Sequence, residues 1–142
     1  MYLFLLRKDL KLCEVENKMK RLLLWLWCFP QNLVGFIVKH ITKAEKKGNH
    51  YRFSIKCGSV SLGEYIFLCP EHWHNITTLK HENGHRVQSR MLGWLYLPLI
   101  ALPSMLWALY YSKHYDELKE KGVSYYSFYT EKWADKLAGI ER

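Results

Sequence analysis

Residues 91–111 carry no charged side chain, and this run constrains the fold more than any other stretch of the sequence. As one continuous helix, about twenty residues reach roughly 30 Å, the thickness of a bilayer's hydrocarbon. Chemistry-bearing residues lie on both sides of the run: His81, Glu82 and His85 before it, Glu131 and Asp135 after it. A single straight crossing would put the two groups on opposite faces of a membrane. If they act together, the run has to double back. Pro98, and Pro103 followed by Ser104, are two places where a helix can break. The expected forms are a re-entrant or surface-lying helical hairpin, a buried hairpin in a core, or a site within the membrane reached through a water-filled cavity.

The reason to bring the flanks together is the pattern H-E-x-x-H over His81–His85, with Asn83 and Gly84 at the free positions. On a helix, residues four apart share a face, so His81 and His85 aim two imidazoles at one point. Such a pair suits zinc, which accepts nitrogen ligands in tetrahedral sites. Glu82 leans toward the same point without standing in line with the pair. That is the place for a base that takes a proton from water at the metal. A catalytic zinc needs a third protein ligand and keeps one position open. Glu131 and Asp135 form E-x-x-x-D, one helical turn apart, beside apolar Trp133, Ala134 and Leu137. Glu131 can supply the third ligand. Asp135 can accept a hydrogen bond from the far nitrogen of a ligating His and fix its tautomer. The competing readings are two histidines that merely pack on an ordinary helix, and a solvated acidic pair on an amphipathic one.

H-E-x-x-H followed at a distance by E-x-x-x-D resembles the gluzincin group of zinc metallopeptidases. The form of residues 130–137 is most similar to membrane-bound members, the prenyl-protein endopeptidases and the heat-shock-type membrane proteases. The likeness covers residues 79–88 and 130–137; the chain as a whole is a much reduced relative. The resemblance implies zinc as cofactor, His81, His85 and Glu131 as ligands, Glu82 as base, and Asp135 behind the ligands. It implies a peptide or protein substrate. It also implies a small sheet beside the motif helix, one edge of which takes substrate as an added strand.

A chain of 142 residues is one domain with room for a real core. Its hydrophobic fraction of 49% is at the top of the soluble range. Its mean hydropathy of −0.22 is too low for a bundle of membrane spans. One or two apolar segments attached to a polar, basic body fit both values. The net charge of +8 raises nucleic acid as a partner, but the Lys and Arg residues are scattered, with no RNP-like or Gly-rich basic signature. Anionic lipid is the simpler counterpart, because basic residues flank the apolar stretches. Cys13, Cys28, Cys57 and Cys69 contain no C-x-x-C pair and so make no structural zinc site.

Taken in order, residues 1–21 read as an N-terminal extension; Met19, Lys20 and Arg21 resemble a translation start ahead of an apolar segment, leaving 1–18 as an upstream addition. Residues 22–38 are an apolar anchor segment interrupted by Pro30, Gln31 and Asn32, which are costly in hydrocarbon unless buried against protein. The segment is either an anchor kinked at Pro30 or an apolar core helix. Residues 39–50 form a basic connector. Tyr51, Phe53, Ile55 and Cys57 alternate with polar residues as in a half-buried strand. Short runs at 59–62 and 65–69 follow after glycine turns, so 51–69 reads as a three-stranded antiparallel meander, its last strand the most buried. His72 and His74 are a possible second metal pair. Asn75 or Thr77 can cap a helix over about 76–97. A charged helix end at 112–121 closes at Gly122, and the Glu131 helix spans 126–140. His114, Tyr125 and Tyr126 are candidates for stabilising an oxyanion.

The expected fold is thus α+β and mainly helical, with the motif helix beside a small three-stranded antiparallel sheet and with apolar, membrane-associated segments. Residues 39–142, including the 91–111 hairpin, form a minimal zincin-like catalytic domain. The expected function is zinc-dependent peptide hydrolysis at a membrane. The alternative is a non-enzymatic membrane anchor or partner-binding protein, followed by a basic nucleic-acid binder.

Overall fold

The computed structural model describes residues 16–55 and 58–142. Expectations for residues 1–15 and for Cys57 lie outside the described residues. The fold is α+β and mainly helical. The chain is helical over Glu16–Trp27 (α1), then bends by 89° into α2 (Phe29–Ile41). Pro30 sits in the first turn of α2, where its missing N–H costs nothing. No single helix among the described residues is long and apolar enough to cross a membrane; the bent α1–α2 pair meets the composition test only together.

Gln31 and Asn32 do not face outward. Both are fully buried, and they tie α2 to the rest of the molecule. Gln31 Nε2 donates to Ser89 Oγ at 2.9 Å and to the Gly93 carbonyl at 2.8 Å. Asn32 Oδ1 accepts from the Glu64 N–H at 2.8 Å. The polar interruption in an apolar segment is therefore a set of buried bonds between elements, made by the Gln31 Nε2 and the Asn32 amide; of these two side chains, Gln31 Oε1 alone is buried without a partner.

The sheet has four strands: β1 (Glu45–Lys47), β2 (His50–Arg52), β3 (Val60–Leu62) and β4 (Tyr65–Leu68), in the order β1-β2-β4-β3. This corrects the three-stranded antiparallel meander. β1 forms within the basic connector and pairs antiparallel with β2. β2 pairs with β4 in parallel, Tyr51 opposite Phe67, and β3 pairs antiparallel with β4, Ser61 opposite Ile66. The physical reason lies in β4. Ile66, Phe67 and Leu68 are buried, apolar on both faces, and the most apolar strand takes the central place. β3 is left at the edge. Phe53, Phe67 and Cys69 form the core under the sheet, with Phe53 and Phe67 rings 5.7 Å apart.

The motif helix α3 runs Ile76–Leu92, shorter than the expected 76–97. It stops because Gly93 adopts φ 55, a left-handed conformation that glycine tolerates. The Trp27 indole fills the space where any Cβ at Gly93 would stand. The uncharged run then breaks into a 3₁₀ turn (Gly93–Leu95), a π-helical turn (Leu97–Ala101) and α4 (Leu102–Lys113). The turn comes at Gly93; Pro98 and Pro103, the expected break points, lie inside the continuous helical stretch formed by Leu97–Ala101 and Leu102–Lys113. α5 (Tyr115–Glu120) and a 3₁₀ turn (Tyr125–Ser127) lead to α6 (Tyr129–Ala138), which is shorter than the expected 126–140. Four side-chain bonds hold the returning run against the segment that leads into α6. They are Trp107 Nε1 to the Tyr125 carbonyl, Tyr111 Oη to the Val123 carbonyl, Tyr129 Oη to the Leu99 carbonyl, and Ser104 Oγ to Thr130 Oγ1.

Candidate metal centre

α3 begins at Asn75, whose Oδ1 accepts from the Thr78 N–H at 3.0 Å, so the cap is Asn75 rather than Thr77. The face it turns inward is polar: His81, Glu82, Gly84, His85, Gln88 and Ser89 are all buried. α6 answers with Thr130, Glu131, Ala134 and Asp135. Gly84 is what lets the two helices meet. A Cβ there would overlap the Ala134 carbonyl oxygen. Glycine within a helix costs about 1 kcal/mol relative to alanine, and here that cost brings a close backbone approach no other residue permits.

The approach brings His81, His85 and Glu131 together. Among the described residues they are the one His/Cys/Asp/Glu group able to hold a metal ion; the ligand atoms lie within 4.8 Å of one another. Glu131 Oε2 is 3.1 Å from His81 Nε2 and 3.4 Å from His85 Nε2. Ligand atoms about 2.0–2.1 Å from a tetrahedral ion stand about 3.3 Å apart, so these two edges already have that spacing.

The far nitrogens decide the chemistry. His81 Nδ1 lies 2.7 Å from Asp135 Oδ1. A carboxylate there accepts a hydrogen bond from Nδ1–H, which keeps the proton on Nδ1 and turns the Nε2 lone pair inward for a metal. His85 Nδ1 lies 2.8 Å from Gln88 Oε1, and Gln88 Nε2 donates onward to the Thr130 carbonyl at 2.9 Å. Both imidazoles are thereby held with Nε2 inward. Asp135 is itself held on its outer side by Arg142 Nε at 2.9 Å. Arg142 also lies 3.4 Å from the centre of the Tyr126 ring.

With no ion between them, the groups share protons. Burial pulls the His81 imidazole down. Its hydrogen bond to Glu131, the Glu82 charge and the bond to Asp135 outweigh that and leave it above its ordinary value. Burial alone would raise the Glu131 carboxyl, but the bonds from His81 and His85 hold it well below the usual carboxylate range. Glu82 differs. Burial pushes its carboxyl up, and the two histidine charges only partly oppose this. Its Oε2 is buried without a hydrogen-bond partner. An orphaned buried acceptor costs about 1–3 kcal/mol. This orphaned oxygen beside two inward-facing Nε2 atoms and the Glu131 carboxylate is a donor set that fits zinc and its water.

A cavity of about 620 Å³ opens from this group. Ser59 to Leu62 of the β3 side form one wall, and Leu97, Ala101, Leu102 and Met105 of the uncharged run form another. Tyr125 and Tyr126 line it; His114 does not, and instead bonds the Tyr110 carbonyl at 3.0 Å. β3 is one of the sheet's two outer strands, and its Ser61 carbonyl already accepts from Tyr96 Oη at 3.0 Å. The His72–His74 pair belongs to no group of three or more potential metal ligands among the described residues. His72 Nδ1 lies 3.2 Å from Ser59 Oγ and 3.2 Å from Cys69 Sγ, while His74 is exposed.

Sequence reasoning missed Gln88, Gly84, Thr130 and Ser104. Gln88 carried a signal, since it stands three residues after His85 on the same helix face. Gly84 carried a weaker one, as a glycine inside a helix needs a packing reason. Thr130 and Ser104 carried none.

Comparison with family models, with curated proteins and with solved structures gave no match. The reading of the site therefore rests on its geometry.

Proposed function

We propose that this chain is a small zinc-dependent peptidase that works at a membrane surface. One observation carries the reading. Two buried Nε2 atoms and one carboxylate oxygen converge with their far partners in place, while the adjacent Glu82 Oε2 stays unpaired. His81, His85 and Glu131 would hold the ion and leave the fourth position open toward the cavity. When bound, zinc polarises a carbonyl and acidifies water beside it.

This chain's residues do the rest. Glu82 Oε2 takes the proton of the attacking water and passes it to the leaving amine, and its burial-raised pKa suits a group that must carry the proton in between. Asp135 and Gln88 keep the imidazoles oriented throughout. Tyr125 and Tyr126 stand at the cavity as hydroxyl donors for the developing oxyanion. The apolar wall excludes water from around the scissile bond.

The membrane part of the reading is supported by α4. It has no buried residue, and Leu106 and Leu109, which do not line the cavity, are exposed on it. A helix that is apolar around its circumference is ordinarily covered by protein or by lipid. Trp27 Nε1 bonds the Arg90 carbonyl and Trp94 Nε1 bonds the Leu26 carbonyl, which seats α1, with exposed Leu22, Leu23 and Leu26, against the end of α3 and the 3₁₀ turn after it. The same exposed area favours the second reading, a non-enzymatic membrane-bound protein in which the motif helix only packs.

Purified protein should contain about one zinc per chain. Glu82→Gln should keep the metal and abolish hydrolysis of a peptide library. Full peptidase activity in Glu82→Gln removes the mechanism. Metal content that does not respond to His81→Ala favours the second reading.

A further inference from the structure

We propose that Ser104 and Thr130 are positioning residues for the Glu131 ligand, and that the uncharged run is thereby part of the metal centre. The inference rests on the metal reading of His81, His85 and Glu131. Ser104 Oγ donates to Thr130 Oγ1 at 2.8 Å. Thr130 Oγ1 donates in turn to Glu131 Oε1 at 3.1 Å. Each hydroxyl has one proton to give, so the direction of the chain is fixed: Ser104 to Thr130 to the carboxylate. Glu131 Oε1 is thus engaged, and Oε2 alone faces the two imidazoles at 3.1 and 3.4 Å.

A carboxylate free to rotate can offer a metal both oxygens. That raises the coordination number and fills the position needed by water or substrate. A hydrogen bond to one oxygen holds the group to single-oxygen ligation. Thr130 is fully buried and its carbonyl also accepts from Gln88 Nε2, so one residue touches the partner of His85 and the Glu131 ligand itself. Ser104 comes from α4, which packs on α6 but has no buried residue. The ligand's orientation therefore depends on how α4 is seated.

The test uses the full chain with zinc and with cobalt(II) in its place. Metal affinity is measured by chelator competition, and cobalt absorption reports coordination. Four-coordinate cobalt absorbs strongly and higher coordination weakly. Thr130→Val keeps the shape and removes the donor. It should weaken zinc about 10–100-fold and lower cobalt absorption at full occupancy. Thr130→Ser should restore both. Ser104→Ala should shift both measurements in the same direction as Thr130→Val, and Ser104→Thr should restore them. If Thr130→Val does not fold, the Ser104 pair carries the test alone. Wild-type affinity and an unchanged spectrum in the valine and alanine variants overturn the relay while leaving the metal centre standing. Wild-type protein that binds neither metal overturns the centre itself, and the relay with it.

Discussion

His85 Nδ1 lies 2.8 Å from Gln88 Oε1, one helical turn further along α3. An amide oxygen can only accept, so it selects the tautomer with the proton on Nδ1 and leaves Nε2 unprotonated toward Glu131. Gln88→Leu removes that choice. It should weaken zinc about 10–100-fold, whereas Gln88→Glu keeps the acceptor toward His85 but loses the donor to the Thr130 carbonyl, so its affinity should fall between that of Gln88→Leu and the wild type. Chelator competition at fixed pH separates the two.

Gly84→Ala is a test of sign. In an isolated helix, alanine would be favoured by about 1 kcal/mol. Here its Cβ would overlap the Ala134 carbonyl oxygen, which is backbone and cannot rotate aside. Overpacking of this kind costs about 1–3 kcal/mol. The variant should melt lower than wild type and lose metal, because α6 carries Glu131 away from α3. A higher melting temperature with metal retained would show that the helices do not need this close approach.

The metal-free protein should be most stable on the acid side of neutrality. Glu131 is depressed, so its contribution is present above the unfolded carboxylate pKa of about 4.3 and is lost as pH falls through its folded value. His81 is raised, so its contribution is complete below about 6.5 and is lost as pH rises through its folded value. Glu82 is also raised; its contribution is present below about 4.3 and is lost on going up. His81 weakens the fold as pH rises toward 8, and melting temperatures at pH 6 and pH 8 should show it. Saturating zinc should reverse the slope, since the ion competes with protons for the histidines. Identical slopes with and without zinc would deny the ion this site.

The apolar surface makes its own forecast. Leu106→Glu and Leu109→Glu place charge on exposed positions of α4, a helix with no buried residue, so the packed interior is left as it is. Melting temperature should change little. Binding to vesicles containing anionic lipid should fall several-fold, since each Å² of apolar surface kept out of the bilayer forgoes about 25 cal/mol. Vesicle binding unaltered in the double variant would place lipid contact elsewhere.

The motif residues were legible because helical spacing is local. His81, Glu82 and His85 needed only α3 to form, and the uncharged run announced that it had to turn back if Glu131 was to join them. Ile66, Phe67 and Leu68 were legible as the most buried strand for the same reason. The sheet order was not. Strands that follow one another were expected to pair, whereas β2 pairs with β4 in parallel across an intervening strand. Nor was the role of Gln31 and Asn32, whose buried bonds reach Ser89, Gly93 and Glu64.

Residue spacing alone settles which side chains share a helix face: the imidazole pair with its acid on α3, and Glu131 with Asp135 on α6. Helical periodicity makes such residues neighbours, whatever surrounds them. That the two faces meet is a property of the packed molecule. It depends on a glycine opposite a backbone carbonyl, and on a run that breaks at Gly93 and comes back to hold Thr130 through Ser104. Pairings between residues far apart in the chain depend on the packing of every element between them, and no local spacing records it.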